Sequence, residues 1–212
     1  DINNLALKNI KLKIENVLWD KNNLVAIIQS LQVQEKSGFT LNNFRANVVI
    51  KPQQIALSNL QVNTPNSRIH NTTMVEFDNF MELDKEFYNS IFTTNFSKTE
   101  IASNDLKYFV EVLGRLPVID LTTNRFIKLN GIVSGTINDF TAERVDVEVE
   151  NALVLKVNGL VKNVLENEKM RFDLNLEELS TSYEKLNSIF KNVTLPEGLQ
   201  DFGVFKLEGE LK

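Results

Sequence analysis

The chain reads as a mostly β protein, an elongated antiparallel sheet with two or three short helices at its ends or rim. Three observations predict this. Apolar and polar residues alternate with period two through most of the 212 residues. Short turn-forming clusters separate the alternating runs, so neighbouring strands join as antiparallel hairpins. A pair of landmarks recurs at one offset, which is the mark of a stacked, elongated repeat.

In the first part, strands are predicted over residues 5–19, 24–34, 39–50, 54–63 and 68–77. Asp20-Lys21-Asn22-Asn23, Lys36-Ser37-Gly38, Lys51-Pro52 and Thr64-Pro65-Asn66-Ser67 supply the turns between them. The second part continues with strands over 96–101, 121–137, 143–150, 152–161, 169–176 and 203–212. Val145, Val147 and Val149 alternate with Asp146, Glu148 and Glu150, giving one apolar and one charged face. Helical patterns interrupt the strands. Ser103-Asn104-Asp105 offers caps before LKYFVEVLG, stopped by Gly114 and Pro117, and Thr181-Ser182 precedes YEKLNSIFKNV, ended by Pro196. Residues 84–92 form a weaker third candidate.

Ile101 and Leu179 each precede a capped helix, 78 residues apart, and Ile127-Lys128-Leu129-Asn130-Gly131 matches Phe205-Lys206-Leu207-Glu208-Gly209 at the same offset. The chain therefore divides into a meander over 1–80, a repeat unit with short helices over 81–178, and a second, shortened copy over 179–212, all in one continuous sheet.

Composition narrows the function. Hydrophobic residues make up 42% and charged residues 24%, ordinary for a folded chain, and the net charge of −5 argues against nucleic-acid binding. No apolar run approaches the roughly 20 residues that span a bilayer. The opening DINNLALKNI lacks a signal-peptide pattern and an initiator Met, so the chain reads as a segment of a longer protein. With no Cys, disulfides and thiolate zinc sites are excluded.

Chemistry is sparse. His70, the only histidine, has no neighbouring groups completing a nucleophile–base set and reads as a surface residue. Walker, dinucleotide and nucleophile-elbow motifs are missing from the sequence. Asp146, Glu148 and Glu150 are candidate ligands for a hard cation, weighed against a solvated strand face, which a straight strand favours because calcium sites wrap the ion with a bent loop. Glu177 and Glu178 are adjacent, so in a regular strand they point to opposite sides and make a poor acid–base pair. Asn71-Thr72-Thr73, Asn95-Phe96-Ser97 and Asn192-Val193-Thr194 fit the glycosylation pattern. Trp19 and the aromatic residues Phe39, Phe77, Phe126, Phe172, Phe190 and Phe205 read as core. The expected function is non-enzymatic, without cofactor or metal.

The stretch FIKLNGIVSGTI, residues 126–137, carries Gly131 and Gly135 on the same parity as Ile127, Leu129, Val133 and Ile137. Two glycines on the apolar side of a strand weaken it, so that side is greasy but locally low. The runs Glu35-Lys36-Ser37-Gly38-Phe39-Thr40-Leu41-Asn42-Asn43-Phe44, Ile55-Ala56-Leu57-Ser58-Asn59-Leu60 and Thr64-Pro65-Asn66-Ser67-Arg68-Ile69 resemble the TamB branch of the AsmA-like superfamily. Ser103-Asn104-Asp105-Leu106, the run from Leu129 to Phe140, and Leu207-Glu208-Gly209 agree with it, and the Lys-, Asn- and Ile-rich composition resembles that of Bacteroidota members.

The resemblance implies a long β-groove curved as a half-pipe with an apolar inside. It implies a middle segment of a periplasmic protein anchored in the inner membrane, associated with phospholipid transport between the membranes. It implies a TamA-type outer-membrane barrel as partner, reached through parts outside this chain. On that footing the expected lining for phospholipid acyl chains is Ile127, Leu129, Gly131, Val133, Gly135, Ile137, Val145, Val147, Val149, Leu153, Leu155, Val157, Phe172, Leu174, Leu176, Phe205, Leu207, Gly209 and Leu211. Two other functions fit the same pattern: a scaffold or chaperone for outer-membrane protein assembly that takes a client strand at a sheet edge, and a closed β-repeat adhesin or binding module whose apolar face is dry core.

Overall fold

The computed structural model describes residues 6–83, 87–106, 124–189 and 197–212. Eleven strands form one open, curved sheet in strict chain order, every neighbouring pair antiparallel. They are β1 (Leu7–Asp20), β2 (Asn23–Glu35), β3 (Thr40–Lys51), β4 (Gln54–Asn63), β5 (Arg68–Glu76), β6 (Ile91–Ala102), β7 (Phe126–Gly135), β8 (Phe140–Val149), β9 (Leu153–Lys162), β10 (Arg171–Ser182) and β11 (Val204–Leu211). Short helices α1 (Ser103–Leu106) and α2 (Tyr183–Ile189) follow β6 and β10. Strands pack on their sheet neighbours, and no two non-adjacent strands pack face to face among the described residues.

Most predicted strands stand within a few residues of their expected ends. Two are longer. β6 begins at Ile91 rather than 96, and β10 runs to Ser182 rather than 176. Residues 84–86 of the weak helix reading lie outside the described residues, Phe87–Asn89 is a single 3-10 turn, Ser90 is a bend, and Ile91 and Phe92 belong to β6. The run 121–137 begins as strand only at Phe126, with 121–123 outside the described residues. Ser103, Asn104 and Asp105 lie within α1 rather than capping it, and most of LKYFVEVLG falls outside the described residues, as do Phe190, Asn192 and Pro196. Ser182 does cap α2, its hydroxyl accepting the Lys185 amide at 3.3 Å.

Bulges curve the sheet. Register shifts by a residue or more inside β1, β2, β3, β4, β6, β8 and β10. Several place an ordinary side chain at positive φ: Asn59 at 51°, Lys98 at 53° and Arg144 at 47°. Each extra residue bends its strand and switches which parity faces inward. In β8, Ala142 and Val145 both face the apolar side although they are three residues apart.

Gly131 answers to the β8 bulge. It has φ of +114°, and a Cβ built on it would lie 2.7 Å from the Val145 Cα and against the Arg144 carbonyl oxygen. Gly159 repeats the arrangement against β10, at +140° and 2.8 Å from the Leu174 Cα. These glycines are set by backbone approach between strands.

A buried carboxylate ties the first helix to the sheet. Asp105 of α1, 5% exposed, accepts hydrogen bonds from the hydroxyls of Thr64 and Ser67 and from Asn66 Nδ2 at 3.2 Å. Ser67 Oγ accepts the Ala102 amide at 2.9 Å, so the β4–β5 turn is locked to the end of β6. Replacing Asp105 by Ala leaves the buried Ser67 hydroxyl and the half-buried Thr64 hydroxyl without their acceptor. We expect a loss of about 3 kcal/mol, read as a lower urea midpoint. A change below about 0.5 kcal/mol would mean the clamp is ornamental.

Candidate functional site: an open apolar face with a cleft

Register places every expected lining residue of β7 to β11 on one side of the sheet. Across the strands run Ile127–Val149–Leu153, Leu129–Val147–Leu155 and Phe172–Val161–Phe140. Leu176 stands opposite Gly209 and Leu174 opposite Leu211. Beyond the β10 bulge, Leu179 pairs with Leu207 and Thr181 with Phe205. Leu129, Val133, Val145, Val147, Leu155, Val157, Leu174 and Leu176 join Ala142 in one apolar cluster. Ile137 lies beyond the end of β7, in the turn to β8.

A second cluster continues this side through β2 to β4, where Ile28, Phe44, Ala46, Val48, Ile50, Leu57, Leu60 and Val62 pack together. Its alternation is plain in the sequence, but only register shows that it shares a face with the later strands. A polar strip lies between the two clusters on β5 and β6. The Thr73 and Thr94 hydroxyls are 3.2 Å apart. Asn71 stands between Leu60 and Phe96, its Oδ1 buried without a hydrogen-bond partner.

This face is incompletely covered. Alanines such as Ala26, Ala46, Ala102, Ala142 and Ala152 are buried alongside Val48, Leu60, Val145 and Val157, while other large inner residues such as Leu129, Val133 and Leu174 stay partly exposed. A cleft of about 560 Å³ opens on it, lined by Phe92, Phe96, Val133, Gly135, Ile137 and Phe140 together with Thr94, Thr136, Val164 and Leu165. Val164 and Leu165 come from the loop after β9. Phe92, Phe96 and Phe140 stand directly opposite the two glycines of β7 across the ladder. Aromatic residues thus flank the low points that FIKLNGIVSGTI predicts. Phe92, Phe140, Val164 and Leu165 were not identifiable from sequence as cleft residues, because only the pairing and the loop position bring them to Gly135.

The opposite face is charged and cross-linked. Lys128 pairs with Glu148 at 3.0 Å, and Glu178 with Lys156 at 2.8 Å and Lys206 at 3.6 Å. The Lys156 hydrogen bond holds the Glu178 carboxyl below the usual carboxylate range, and the Glu148 hydrogen bond raises Lys128. These exposed pairs keep the outer face hydrated. Glu177 and Glu178 do not point to opposite sides. The β10 bulge turns both outward, Glu177 accepting from Asn158 Nδ2 at 2.6 Å. Among the described residues no group of three or more potential metal ligands comes together. The backbone of His70 exchanges hydrogen bonds with the Thr99 hydroxyl, at 3.1 and 2.9 Å.

The aromatic residues divide. Phe77 is buried, whereas Phe39, Phe126, Phe172 and Phe205 are only half-buried. Trp19, expected in a core, is 79% exposed near the end of β1, which among the described residues pairs only with β2. No described helix is long and apolar enough to cross a membrane. The chain matches no known family model, no curated protein and no solved structure.

Proposed function

We propose that this chain is a non-catalytic segment of a TamB-like, periplasm-spanning protein, and that its apolar face carries phospholipid acyl chains between the inner and outer membranes. The observation that carries the reading is the cleft beside β7: apolar on nearly every side, open to solvent, and on the face that bears both apolar clusters, with the polar strip of β5 and β6 between them. A surface of this kind needs no catalyst. Each acyl methylene removed from water contributes about 0.8 kcal/mol, so a dozen of them hold a chain by contact alone. Similar energies at neighbouring positions let the chain slide. The outer ion pairs keep the other side in water. The barrel partner of the resemblance belongs to the same proposal and is assigned to no residue of this chain.

Mass spectrometry of organic extracts from the washed protein tests it, beside an unrelated β protein. Phospholipid at a near-constant ratio to protein is the expected result. Lipid no higher than in the control, together with no transfer of labelled phospholipid from vesicles to the chain, would sink the reading.

A further inference from the structure

The loop between β9 and β10, residues 163–170, is fastened to a neighbouring turn along its own backbone. Asn163, at φ of +55°, turns the chain off the end of β9. Three consecutive amides then donate to the turn between β7 and β8. Asn163 donates to the Asp139 carboxylate at 2.8 Å, Val164 to the Asn138 carbonyl at 3.1 Å and Leu165 to Asn138 Oδ1 at 3.1 Å. The loop is also braced within itself. Asn163 Nδ2 donates to the Lys169 carbonyl at 3.1 Å, the Glu166 amide to the Asn163 carbonyl at 2.9 Å, and Lys169 pairs with Glu166. Val164 and Leu165 are the two apolar residues of the otherwise polar run 163–169. They are half-buried, and both line the cleft. Phe92, Gly135, Phe140 and Val161 form the last inner row at this rim of the sheet, and Val164 and Leu165 follow Val161 past the end of β9.

We infer that this loop is a fixed wall at the rim of the cleft, and that Val164 and Leu165 are acyl-chain-binding residues that keep a bound chain from slipping off over the strand ends. The inference rests on the lipid reading above and adds to it where the chain lies and what retains it. A bare sheet face touches a chain from one side and leaves the other in water. A second wall removes more methylene surface from water and so holds the chain more tightly. Because backbone amides hold the loop in place, the wall needs no ordering when a ligand arrives. The lining side chains are all uncharged, so a phosphate headgroup finds no partner among them and stays outside.

A phospholipid carrying a diazirine in one acyl chain tests the wall. It is supplied in phosphatidylcholine vesicles and photolysed with the full chain. Trypsin cuts after Lys162 and Lys169, releasing the loop as one peptide, NVLENEK. A cross-link on that peptide, at Val164 or Leu165, is expected. Replacing both Asn138 and Asp139 by Ala removes two of the three acceptors and alters no lining residue. In that variant the amides of Asn163 and Leu165 should exchange faster, with the urea midpoint little changed. Lipid retained after washing should fall roughly tenfold, the effect of losing contact with about two methylenes. Leu165→Asn, which keeps the backbone fastening, should lose lipid to a similar extent with exchange unchanged. Lipid that binds but cross-links only elsewhere would overturn the wall and leave the lipid reading standing. Retention equal to wild type in both variants would do the same. A wild-type chain that takes up no lipid would overturn both.

Discussion

If the apolar face carries phospholipid as proposed, Val133→Asp is expected to lose that lipid and to leave the sheet folded. Val133 lines the cleft, opposite Thr94 on one side and Ala142 on the other, and is partly exposed. A carboxylate there stays hydrated while the cleft holds water. Under an acyl chain it loses that water and is left to neutral hydroxyls such as that of Thr94, directly opposite on the ladder, which do not replace full hydration of a carboxylate. Losing contact with even two methylenes weakens retention by about tenfold. Leu129→Glu, in the same cluster, should behave alike, and Ser134→Asp on the outer face should retain lipid.

Val145→Asp separates this from ordinary core damage. Val145 is 6% exposed, so a carboxylate at that site is buried in the absence of any ligand and should cost about 3 kcal/mol or more. Melting transitions and lipid content, measured together on the four variants, decide the matter. Val133→Asp unfolding like Val145→Asp would show that the cleft is a packed core. Val133→Asp with wild-type lipid content would show that lipid sits elsewhere.

Gly131→Ala and Gly159→Ala should each lower stability by about 2–5 kcal/mol, while Gly209→Ala stays within about 1 kcal/mol. At the two inner sites the added methyl meets backbone, the Arg144 carbonyl in one case and the Asp173 carbonyl in the other, and backbone in a ladder does not step aside. The positive φ adds its own strain for any residue with a Cβ. At Gly209 only the second cost applies, and an edge strand relaxes it by turning one residue. Urea midpoints of the three variants make the comparison. Equal losses at all three sites would mean that strain alone governs these glycines, and the close strand approach would carry no weight.

Much of the architecture was legible in the residues. Val145-Asp146-Val147-Glu148-Val149 can hide one side and wet the other only as a strand, and turns such as Thr64-Pro65-Asn66-Ser67 are short enough to force antiparallel neighbours. The start of β6 was less legible. Phe92-Thr93-Thr94-Asn95 lacks alternation because Thr94 faces the polar strip, and only pairing with β5 and β7 makes it strand. Likewise Glu177-Glu178 looks like the end of a strand, yet a bulge turns both outward and the apolar row resumes at Leu179.

By itself, then, the sequence determined the strands, most of the turns and the greasy side of β7 to β11, because alternation is a property of each segment alone. Tertiary structure decided the rest. Bulges arise from counting residues across two strands, and neither strand's sequence contains that count. The cleft joins Phe92, Gly135, Phe140 and Leu165 from four places along the chain, and the reason Gly131 must be glycine lies in the carbonyl of Arg144, thirteen residues away on the neighbouring strand.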